Sequence, residues 1–422
     1  MSNNQTFKKI AKIIDRLESH GFIKSIDRAS VFYDEPRIHK YIALLRFQKK
    51  YSDGYPAKKI ILGIGFSFES DVLALTRCLG EALERLSLYC YKNSSLTRAN
   101  KNLEFKTMNL SHYKNNDDAN VKKLNWVKGI NLDTKQSVLL PAQIVYLNYR
   151  QRHREKPLTT NISTGATGGF SRQDALLRGI YEVVERDCFM TTYLNKIEVP
   201  KIDLQSLNNT TVKKIDSYFS RYNLELSVFD VSNDLEIPCF MAVVVDRTGI
   251  GPTFTLGLKC SLNPYSAIVG SIEEAISARN YPRKQVTHNK TVDFHIDPKK
   301  IKTIENRALY WLDPRLIDRL DFLLKNKKTK FRMKIFPDNS IEELELVKKL
   351  LKNKNLQIYA VDISMDIFKE TGYFVYKVVI PGLQPVYLDE TQKEFNTTRL
   401  QTVAQFFGRK QYIINEIPHP LL

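Results

Sequence analysis

The sequence predicts a mixed α/β fold in which sheets pack against long helices. Three observations support this class: short apolar runs alternate like strands, glycine-rich segments follow several of them, and long amphipathic helices come next. The chain has 422 residues, 43% hydrophobic and 26% charged, which is the composition of a globular protein with a sizeable core. Length alone allows either one large α/β unit or several domains.

The predicted elements repeat one plan of strand, glycine turn and helix. They are helices over 7–20, 70–91, 172–194, 264–280 and 341–351, and strands over 41–47, 59–64, 137–149, 224–231, 238–246, 357–363 and 373–380. The first two glycine turns are placed at 63–67 and 163–169. The polar stretch 92–123 is predicted to be a surface excursion. A Gly-Tyr-Pro turn at 54–56 predicts a boundary between a small N-terminal α/β segment, 1–55, and a larger domain, 56–422.

Charge and cysteine content narrow the class of protein. Lysine and arginine number 64 against 46 acidic residues, which gives a formal net charge of +18 and predicts an acidic partner without identifying it. No apolar run approaches the ~20 residues of a membrane span, and the first residues lack a signal core, so we expect a cytoplasmic protein without a membrane partner. The five cysteines form no C-x-x-C pair, so we expect reduced core residues.

Two predicted helices carry the same E-x-x-E-R pattern. Its members are Glu81, Glu84 and Arg85 in one helix and Glu182, Glu185 and Arg186 in the other. Glutamates three residues apart share a helix face, and here they interrupt apolar helices, where unpaired carboxylates are costly to bury. Oxygen ligands without Cys or His suit Mg²⁺, and arginines suit phosphate oxygens. A single such pair taken alone would equally be ordinary surface charge.

A third predicted helix adds Glu274 and Arg279, but common nucleotide and hydrolase motifs are absent from the sequence. We find no G-x-x-x-x-G-K-[ST], no dinucleotide G-x-G-x-x-G, no G-x-S-x-G and no H-E-x-x-H. Gly165, Gly168 and Gly169 precede the second long helix. They can form either an anion-binding nest or a plain turn, and the sequence leaves both open.

In order along residues 58–422, these motifs resemble the YcaO family of ATP-using peptide-backbone modifiers. The segments that carry the resemblance are 63–67, 78–85, 163–168, 174–175, 182–187, 263–279, 361–362 and 380–383. The resemblance implies a YcaO-type fold in which long helices converge carboxylates on a central nucleotide site.

The resemblance also implies roles for individual residues. Mg²⁺ ligands would be Glu81, Glu84, Asp174, Glu182 and Glu185, and ATP contacts would come from Ser67, Arg77, Arg186, Glu274 and Arg279. This sequence departs from the family pattern at four positions. Ile64 stands where many family members have lysine, and Arg77 where many have serine. Thr164 stands where asparagine is usual, and Ser277 where glutamine is usual. Nucleotide contacts from these four positions are therefore open.

The sequence ends in a Pro-His-Pro segment at 418–420. It is similar to the P-H-P-F-P ending of azoline-forming cyclodehydratases, although the last two residues differ. The similarity implies that the Leu422 carboxylate or His419 assists proton transfer at the active site. A frayed tail with incidental prolines is the alternative, and the apolar Leu-Leu end favours docking.

The function that the resemblance implies is an ATP- and Mg²⁺-dependent cyclodehydratase. Such an enzyme phosphorylates a backbone amide oxygen of a precursor peptide and converts Cys, Ser or Thr into thiazoline or oxazoline, as in bacteriocin-like biosynthesis. Implied partners are a leader-bearing precursor peptide, a separate leader-binding, ubiquitin-activating-like protein and a flavin dehydrogenase in the pathway; a homodimer is left open. Alternatives are a thioamide-forming member with an external sulfur source and a basic RNA-binding protein. No RNA-binding motif is found, so no nucleic-acid partner is expected.

Overall fold

The computed structural model describes residues 3–54, 60–98, 106–147, 149–151, 154–207, 209–249, 251–288, 296–331, 337 and 339–422. Contacts divide the chain into two units, each built from three separate segments. Unit 1 comprises residues 1–30, 39–183 and 339–382; unit 2 comprises 31–38, 184–338 and 383–422. The boundary predicted between 1–55 and 56–422 falls outside the described residues, and that division stays a prediction.

The predicted mixed α/β class is confirmed. The helices are α1 Asn3–Ser19, α2 Asp71–Tyr89, α3 Asp118–Val121, α4 Ala142–Val145, α5 Arg172–Leu194, α6 Thr210–Ser220, α7 Pro264–Ala278, α8 Asn280–His288, α9 Ile304–Tyr310, α10 Asp321–Leu324, α11 Ser340–Asn353, α12 Asp366–Lys369 and α13 Thr397–Phe406. The strands are β1 Ile23–Arg28, β2 His39–Arg46, β3 Ile60–Ser67, β4 Leu96–Arg98, β5 Lys106–Thr107, β6 Asn125–Asn131, β7 Ser137–Pro141, β8 Ala166–Gly169, β9 Lys201–Ile202, β10 Leu224–Asp230, β11 Cys239–Asp246, β12 Phe254–Cys260, β13 Lys328–Thr329, β14 Tyr359–Asp362 and β15 Phe374–Val379.

Unit 1 contains two sheets. One has the order β1-β2-β3, and the other has the order β5-β7-β6-β14-β15-β8, with β4 also paired to β6. Helix α2 begins after Ser70, whose side chain accepts a hydrogen bond from the Leu73 N–H, and it packs on β3. Helix α5 contributes its first half to this unit and its second half to unit 2.

Unit 2 contains one sheet with the order β12-β11-β10-β9-β13. Every residue of β11 is buried, as its unbroken apolar run requires. Helix α7 packs against β11 and β12. Its first turn is capped by Asn263, which accepts from the Ser266 N–H, and Pro264 occupies the first position of the helix. The cap and the packing together fix where α7 presents its glutamates.

Two local predictions are wrong and a third is incomplete. The turn predicted at 63–67 is part of strand β3, because these residues pair with β2; its glycines let α2 pack so closely that a Cβ on Gly65 would lie 2.0 Å from the Ala74 carbonyl oxygen. Most described residues of 92–123 are exposed, as a surface stretch should be, but the stretch also contains β4, β5 and α3, since short polar strands complete a sheet whose other strands come from later in the chain. The strand predicted over 137–149 ends at Pro141, where α4 begins.

The cysteine prediction is confirmed: Cys78, Cys90, Cys188, Cys239 and Cys260 are all free and buried. Burial raises the thiol pKa of Cys78 to about 12 and that of Cys90 likewise to about 12, so these thiols stay protonated and unreactive. Among the described residues, no helix combines the length and apolar character needed to cross a membrane.

Candidate functional site

The unit 1 acid group consists of Glu81, Glu84 and Glu182. Each carboxylate accepts a hydrogen bond from a backbone N–H of a facing segment. Ile64 N lies 2.5 Å from Glu81 Oε2, Gly168 N lies 2.6 Å from Glu84 Oε1, and Gly165 N lies 3.1 Å from Glu182 Oε2. Such charge-assisted bonds hold each carboxylate in one orientation, so the group is preorganised.

The acids of this group are partly desolvated and repel one another. Burial, together with the nearby charges of Glu182 and Glu81, raises the pKa of Glu84 to about 8, while the Gly168 N–H opposes the shift. Burial also raises the pKa of Glu81, offset by Arg85, the Ile64 N–H and Lys40. Concentrated, partly buried negative charge is the electrostatic condition in which a divalent cation binds.

Basic residues accompany the unit 1 acid group, and two of them have well-defined partners. Arg85 Nη2 lies 2.6 Å from Glu81 Oε1, and its Nη1 donates to the Leu62 carbonyl. Lys377 is buried on β15, and its Nζ donates to the carbonyl oxygens of Ile162 at 2.8 Å and Thr164 at 2.6 Å. Burial lowers the pKa of Lys377 to about 8, against the raising effect of Glu182. Sequence analysis missed Lys377, although a lone lysine in the apolar run 373–380 was a usable signal.

The glycine segment before α5 provides backbone N–H groups that bind carboxylates of the unit 1 acid group. Gly165 has φ of +83°, which favours glycine, and a Cβ on Gly168 would lie 2.3 Å from the Tyr373 hydroxyl. Gly168 and its neighbours form strand β8, paired to β15. Of the two alternatives left open, the structure shows neither a plain turn nor amides exposed to an external anion: the N–H groups of Gly165 and Gly168 bind glutamates.

The unit 2 acid group consists of Glu185, Glu274 and Arg186. Cys260 N lies 3.0 Å from Glu185 Oε2, and Leu258 N lies 2.7 Å from Glu274 Oε2, so β12 anchors both acids. Arg186 Nη1 lies 3.4 Å from Glu185 Oε1. Burial raises the pKa of Glu274 to about 7, Glu185 adds to the shift and Arg186 opposes it. This group combines acids with a guanidinium, as a phosphate site with its own metal ligands would.

Arg279 lies in an ion cluster of unit 2. Its Nη2 is 2.8 Å from Asp246 Oδ2 and 3.0 Å from Glu35 Oε1, and its Nη1 donates to the Pro252 carbonyl at 3.1 Å. The side chain is fully buried. Most of its N–H donors are therefore committed to the protein, and a phosphate contact from Arg279 would require this cluster to rearrange. That contact stays a prediction.

The other predicted nucleotide and metal residues of unit 1 have local partners. The hydroxyl of Ser67, at the end of β3, is buried and accepts from the Glu69 N–H. Arg77 Nη1 donates to the Phe66 carbonyl at 2.6 Å. Asp174 is partly buried in the first turn of α5. Their contacts with a nucleotide or metal stay predictions.

The segment 415–421 is packed into unit 2. Tyr193 Oη and Trp311 Nε1 donate to the Pro418 carbonyl, Arg307 Nη1 donates to the His419 carbonyl at 2.8 Å, and His419 Nε2 lies 2.7 Å from the Tyr387 carbonyl oxygen. Burial, Arg307 and Arg186 hold the His419 pKa well below its usual range, so the imidazole is neutral. The packing agrees with the docked tail, not with the frayed alternative; Leu422 is partly buried.

The donor chemistry fits Mg²⁺ and a nucleotide together better than a metal alone. Among the described residues, no three His, Cys, Asp or Glu side chains converge closely enough to hold a metal ion by themselves. Mg²⁺ commonly takes one or two carboxylates and completes its shell with substrate phosphates and water. The anchored glutamates of α2 and α5 in unit 1, and those of α5 and α7 in unit 2 with Arg186 beside Glu185, are therefore the elements expected of a protein that binds a nucleotide with its metal.

Comparison with known proteins identifies the family. Residues 67–384 match the family model described as YcaO cyclodehydratase, ATP- and Mg²⁺-binding. The match covers most of the chain, and the chain belongs to the YcaO family. ATP and Mg²⁺ are the cofactors of that family description, as the sequence predicted.

Solved structures share the fold. A heterocyclase in complex with substrate and cofactor has a TM-score of 0.76 at 18% identity over 98% of this chain, which spans 57% of the heterocyclase chain. YcaO from Methanopyrus kandleri bound with AMPPCP and Mg²⁺ has a TM-score of 0.67 at 15% identity, covering 92% of this chain and 94% of that one. The E. coli microcin synthetase McbBCD complex with pro-MccB17 bound has a TM-score of 0.58 at 14% identity, covering 85% and 88%. At these identities the likeness is one of fold, and the YcaO-type fold prediction is confirmed.

Proposed function

We propose that this protein is an ATP- and Mg²⁺-dependent peptide cyclodehydratase. In the proposed reaction the thiol or hydroxyl of a Cys, Ser or Thr adds to the preceding backbone carbonyl carbon. The amide oxygen accepts the γ-phosphoryl group of ATP and departs as phosphate, a C=N bond forms, and thiazoline or oxazoline results with ADP. ATP with Mg²⁺ supplies the phosphoryl group and the charge neutralisation for this chemistry.

The observation that carries the proposal is the anchoring of the helix glutamates. Their carboxylates are fixed by backbone N–H groups of β3, β8, β12 and the segment before β8, inside a chain of an ATP- and Mg²⁺-binding family. The proposed Mg²⁺ ligands are Glu81, Glu84, Asp174, Glu182 and Glu185. Fixed ligands reduce the reorganisation that metal binding requires. Phosphoryl transfer depends mainly on such preorganised charge and positioning.

The remaining proposed roles concern phosphate binding and proton transfer. Arg186 would contact phosphate oxygens, with Ser67, Arg77, Glu274 and Arg279 as further nucleotide contacts. Proton transfer is proposed for the docked tail, through His419 or the Leu422 carboxylate. One observation supports His419: its Nδ1 is buried and has no hydrogen-bond partner among the described residues. The neutral imidazole has a lone pair that can accept a proton, and its lowered pKa makes it a weak base that would release the proton readily.

The proposed substrate is a leader-bearing precursor peptide presented by a separate leader-binding partner protein. Support comes from two structures that share the fold, one a heterocyclase with its substrate and the other a complex of McbBCD with pro-MccB17. A flavin dehydrogenase acting later in the pathway belongs to the same proposal.

Calorimetric titration of ATP with and without Mg²⁺ tests the proposed site. We expect Mg²⁺-dependent binding by the wild type and its loss in Glu182→Gln, because glutamine can still accept the Gly165 N–H but carries no charge. The matched control is Glu345→Gln, which removes an exposed glutamate that pairs with Lys348 on α11. A folded wild type that does not bind ATP would refute the proposal, as would a Glu182→Gln protein that binds like the control.

Mass spectrometry of a leader-bearing peptide incubated with the protein, its partner and Mg²⁺-ATP tests the reaction itself. The loss of one water for each modified residue is expected. Exchange of a backbone oxygen for sulfur, when a sulfur donor is supplied, would assign the protein to the thioamide-forming branch and overturn the cyclodehydratase proposal.

A further inference from the structure

A cavity of about 560 Å³ lies in unit 1, away from the residues of the acid group. Its lining comes from β5, β6, β7 and β14, which are neighbours at one end of the seven-stranded sheet, and includes Lys106, Met108, Trp126, Gln136 and Tyr359. The volume falls within the range of roughly 300–1,000 Å³ that is usual for ligand sites. No role proposed above uses this cavity.

Trp126 gives the cavity a specific chemical requirement. Its side chain is fully buried, yet the indole Nε1 has no hydrogen-bond partner among the described residues. Indole is a donor only, and a buried donor without an acceptor is costly. The N–H has almost no accessible surface in the free protein, so a ligand oxygen would reach it only after a small shift of the cavity wall; an occupant that carries hydrogen-bond acceptors would then satisfy it.

The rest of the lining is apolar and amide-rich, with a positive edge. Met108, Leu110 and Val138 provide apolar wall, while Asn109, Gln136 and Gln357 provide side-chain amides. Lys106 is the charged residue of the lining; Lys122 and Lys135 directly adjoin lining residues in the chain, as does one acid, Asp133. The balance is positive, so an acidic ligand with apolar groups fits best.

Strand β5 lies at the edge of the described sheet, paired in parallel with β7. An edge strand beside a side-chain pocket is the arrangement with which proteins bind extended peptides. We propose that this cavity binds an extended acidic peptide segment, with one apolar side chain inside it and a backbone carbonyl oxygen that accepts the hydrogen bond of Trp126. The inference rests on the proposed function in taking that peptide to be the substrate.

The sheet itself relates the cavity to the unit 1 acid group. Strand β8, whose Gly168 N–H binds Glu84, is the opposite edge, five strand spacings from β5. At about 4.8 Å per spacing this is roughly 24 Å, which an extended peptide covers in about seven residues at ~3.3 Å each. A peptide that reached both the cavity and the acid group would therefore need at least about seven residues between the two points.

Fluorescence anisotropy with a labelled twelve-residue peptide, in which leucine alternates with glutamate, tests the inference. We expect saturable binding to the full protein, and none by a peptide in which lysine replaces glutamate. Gln136→Trp fills the cavity from an exposed position and should weaken binding at least tenfold. Ser137→Trp places the same bulk on the next exposed residue, which does not line the cavity, and should bind within twofold of wild type.

Trp126→Phe separates hydrogen bonding from folding. Phenylalanine keeps an aromatic ring and removes a donor that is unsatisfied in the free protein, so the thermal midpoint should not fall because of the lost N–H. Peptide affinity should fall about three- to tenfold, the usual loss of one hydrogen bond. Equal affinity in wild type, Gln136→Trp and Trp126→Phe would overturn the inference, as would absence of peptide binding to the wild type.

Two further results separate this inference from competing ones. A single-stranded oligouridylate that binds the wild type and is lost in Gln136→Trp would overturn it in favour of a nucleic-acid site. ATP titration of the same wild-type sample tests the proposed function independently. Cavity-dependent peptide binding without ATP binding would support a peptide site in the cavity and reject the proposed ATP-dependent function. ATP binding without peptide binding would retain the proposed function and reject the cavity site.

Discussion

The unit 1 and unit 2 acid groups are built by the same device and differ in what surrounds it. In both, a helix presents glutamates to backbone N–H groups of a neighbouring segment. In unit 1, the charges of Glu182 and Glu81 raise the pKa of Glu84, and Lys377 donates to two carbonyl oxygens. In unit 2, Arg186 stands beside Glu185. The two E-x-x-E-R sequences therefore contribute to one group suited to a cation and to another suited to an anion with its cation.

The arginines of the two E-x-x-E-R patterns differ in their partners and in their exposure. Arg85 forms an ion pair with Glu81 one turn earlier, donates to the Leu62 carbonyl and is 39% exposed. Arg186 is 16% exposed and approaches the adjacent Glu185. A sequence motif fixes which residues are near one another on a helix, but the facing strand decides which partners are left for a ligand.

The largest expected effect on ATP affinity comes from a substitution in the unit 1 acid group. In Glu84→Gln the amide oxygen still accepts the Gly168 N–H, but the side chain can no longer ionise when the proposed Mg²⁺ binds. We expect Mg²⁺-dependent ATP binding about a hundredfold weaker, as for the loss of a buried charge partner. Calorimetry against the Glu345→Gln control measures it. An affinity within threefold of wild type would mean that Glu84 is not a ligand.

Gly168→Ala tests whether the unit 1 group depends on close backbone approach. The new Cβ would lie 2.3 Å from the Tyr373 hydroxyl, so the strand or the tyrosine must move. We expect a loss of about 2 kcal/mol in the free energy of unfolding, measured by urea denaturation. Tyr373→Phe in the same chain removes the hydroxyl but keeps ring carbons 2.6 Å from the new Cβ, so it should recover only a small part of the loss. A Gly168→Ala protein as stable as wild type would contradict the packing described here.

Arg186→Lys and Arg85→Lys compare the two arginines directly. Lysine keeps the charge but loses the forked donors that bind phosphate. We expect ATP affinity about tenfold weaker in Arg186→Lys and within about twofold of wild type in Arg85→Lys, since Arg85 serves Glu81 and a carbonyl. Equal losses in both variants would mean that the two acid groups do not differ in phosphate binding.

The smallest effect concerns the pH dependence of stability in unit 2. The pKa of His419 is held well below its usual range by burial, Arg307 and Arg186, so the unfolded chain binds a proton below about pH 6.5 that the folded protein does not. This contribution is complete above that pH and is lost as the pH falls. Between pH 7.5 and 5.5, wild type should lose about 1 kcal/mol more than His419→Gln in urea unfolding. Equal losses in the two proteins would mean that the imidazole of His419 titrates normally in the folded protein.

The long helices and their acid faces were predictable because local patterns define them. Helix α5 was predicted over 172–194 and is found at Arg172–Leu194, and α7 begins at the predicted Pro264. Apolar spacing and caps act within a few residues, so the sequence reports them directly. Short strands such as β4 and β5 were missed because their pairing partners, not their own residues, make them strands.

The sequence by itself determined the fold class, the glutamates of α2, α5 and α7 and the resemblance that the family match confirmed. Only the tertiary structure decided which backbone N–H groups hold those glutamates, that Arg279 is committed to Glu35 and Asp246, and that Lys377 lies beside the unit 1 acid group. The reason is physical: helix faces follow from spacing along the chain, whereas desolvation and hydrogen-bond partners depend on strands far away in sequence.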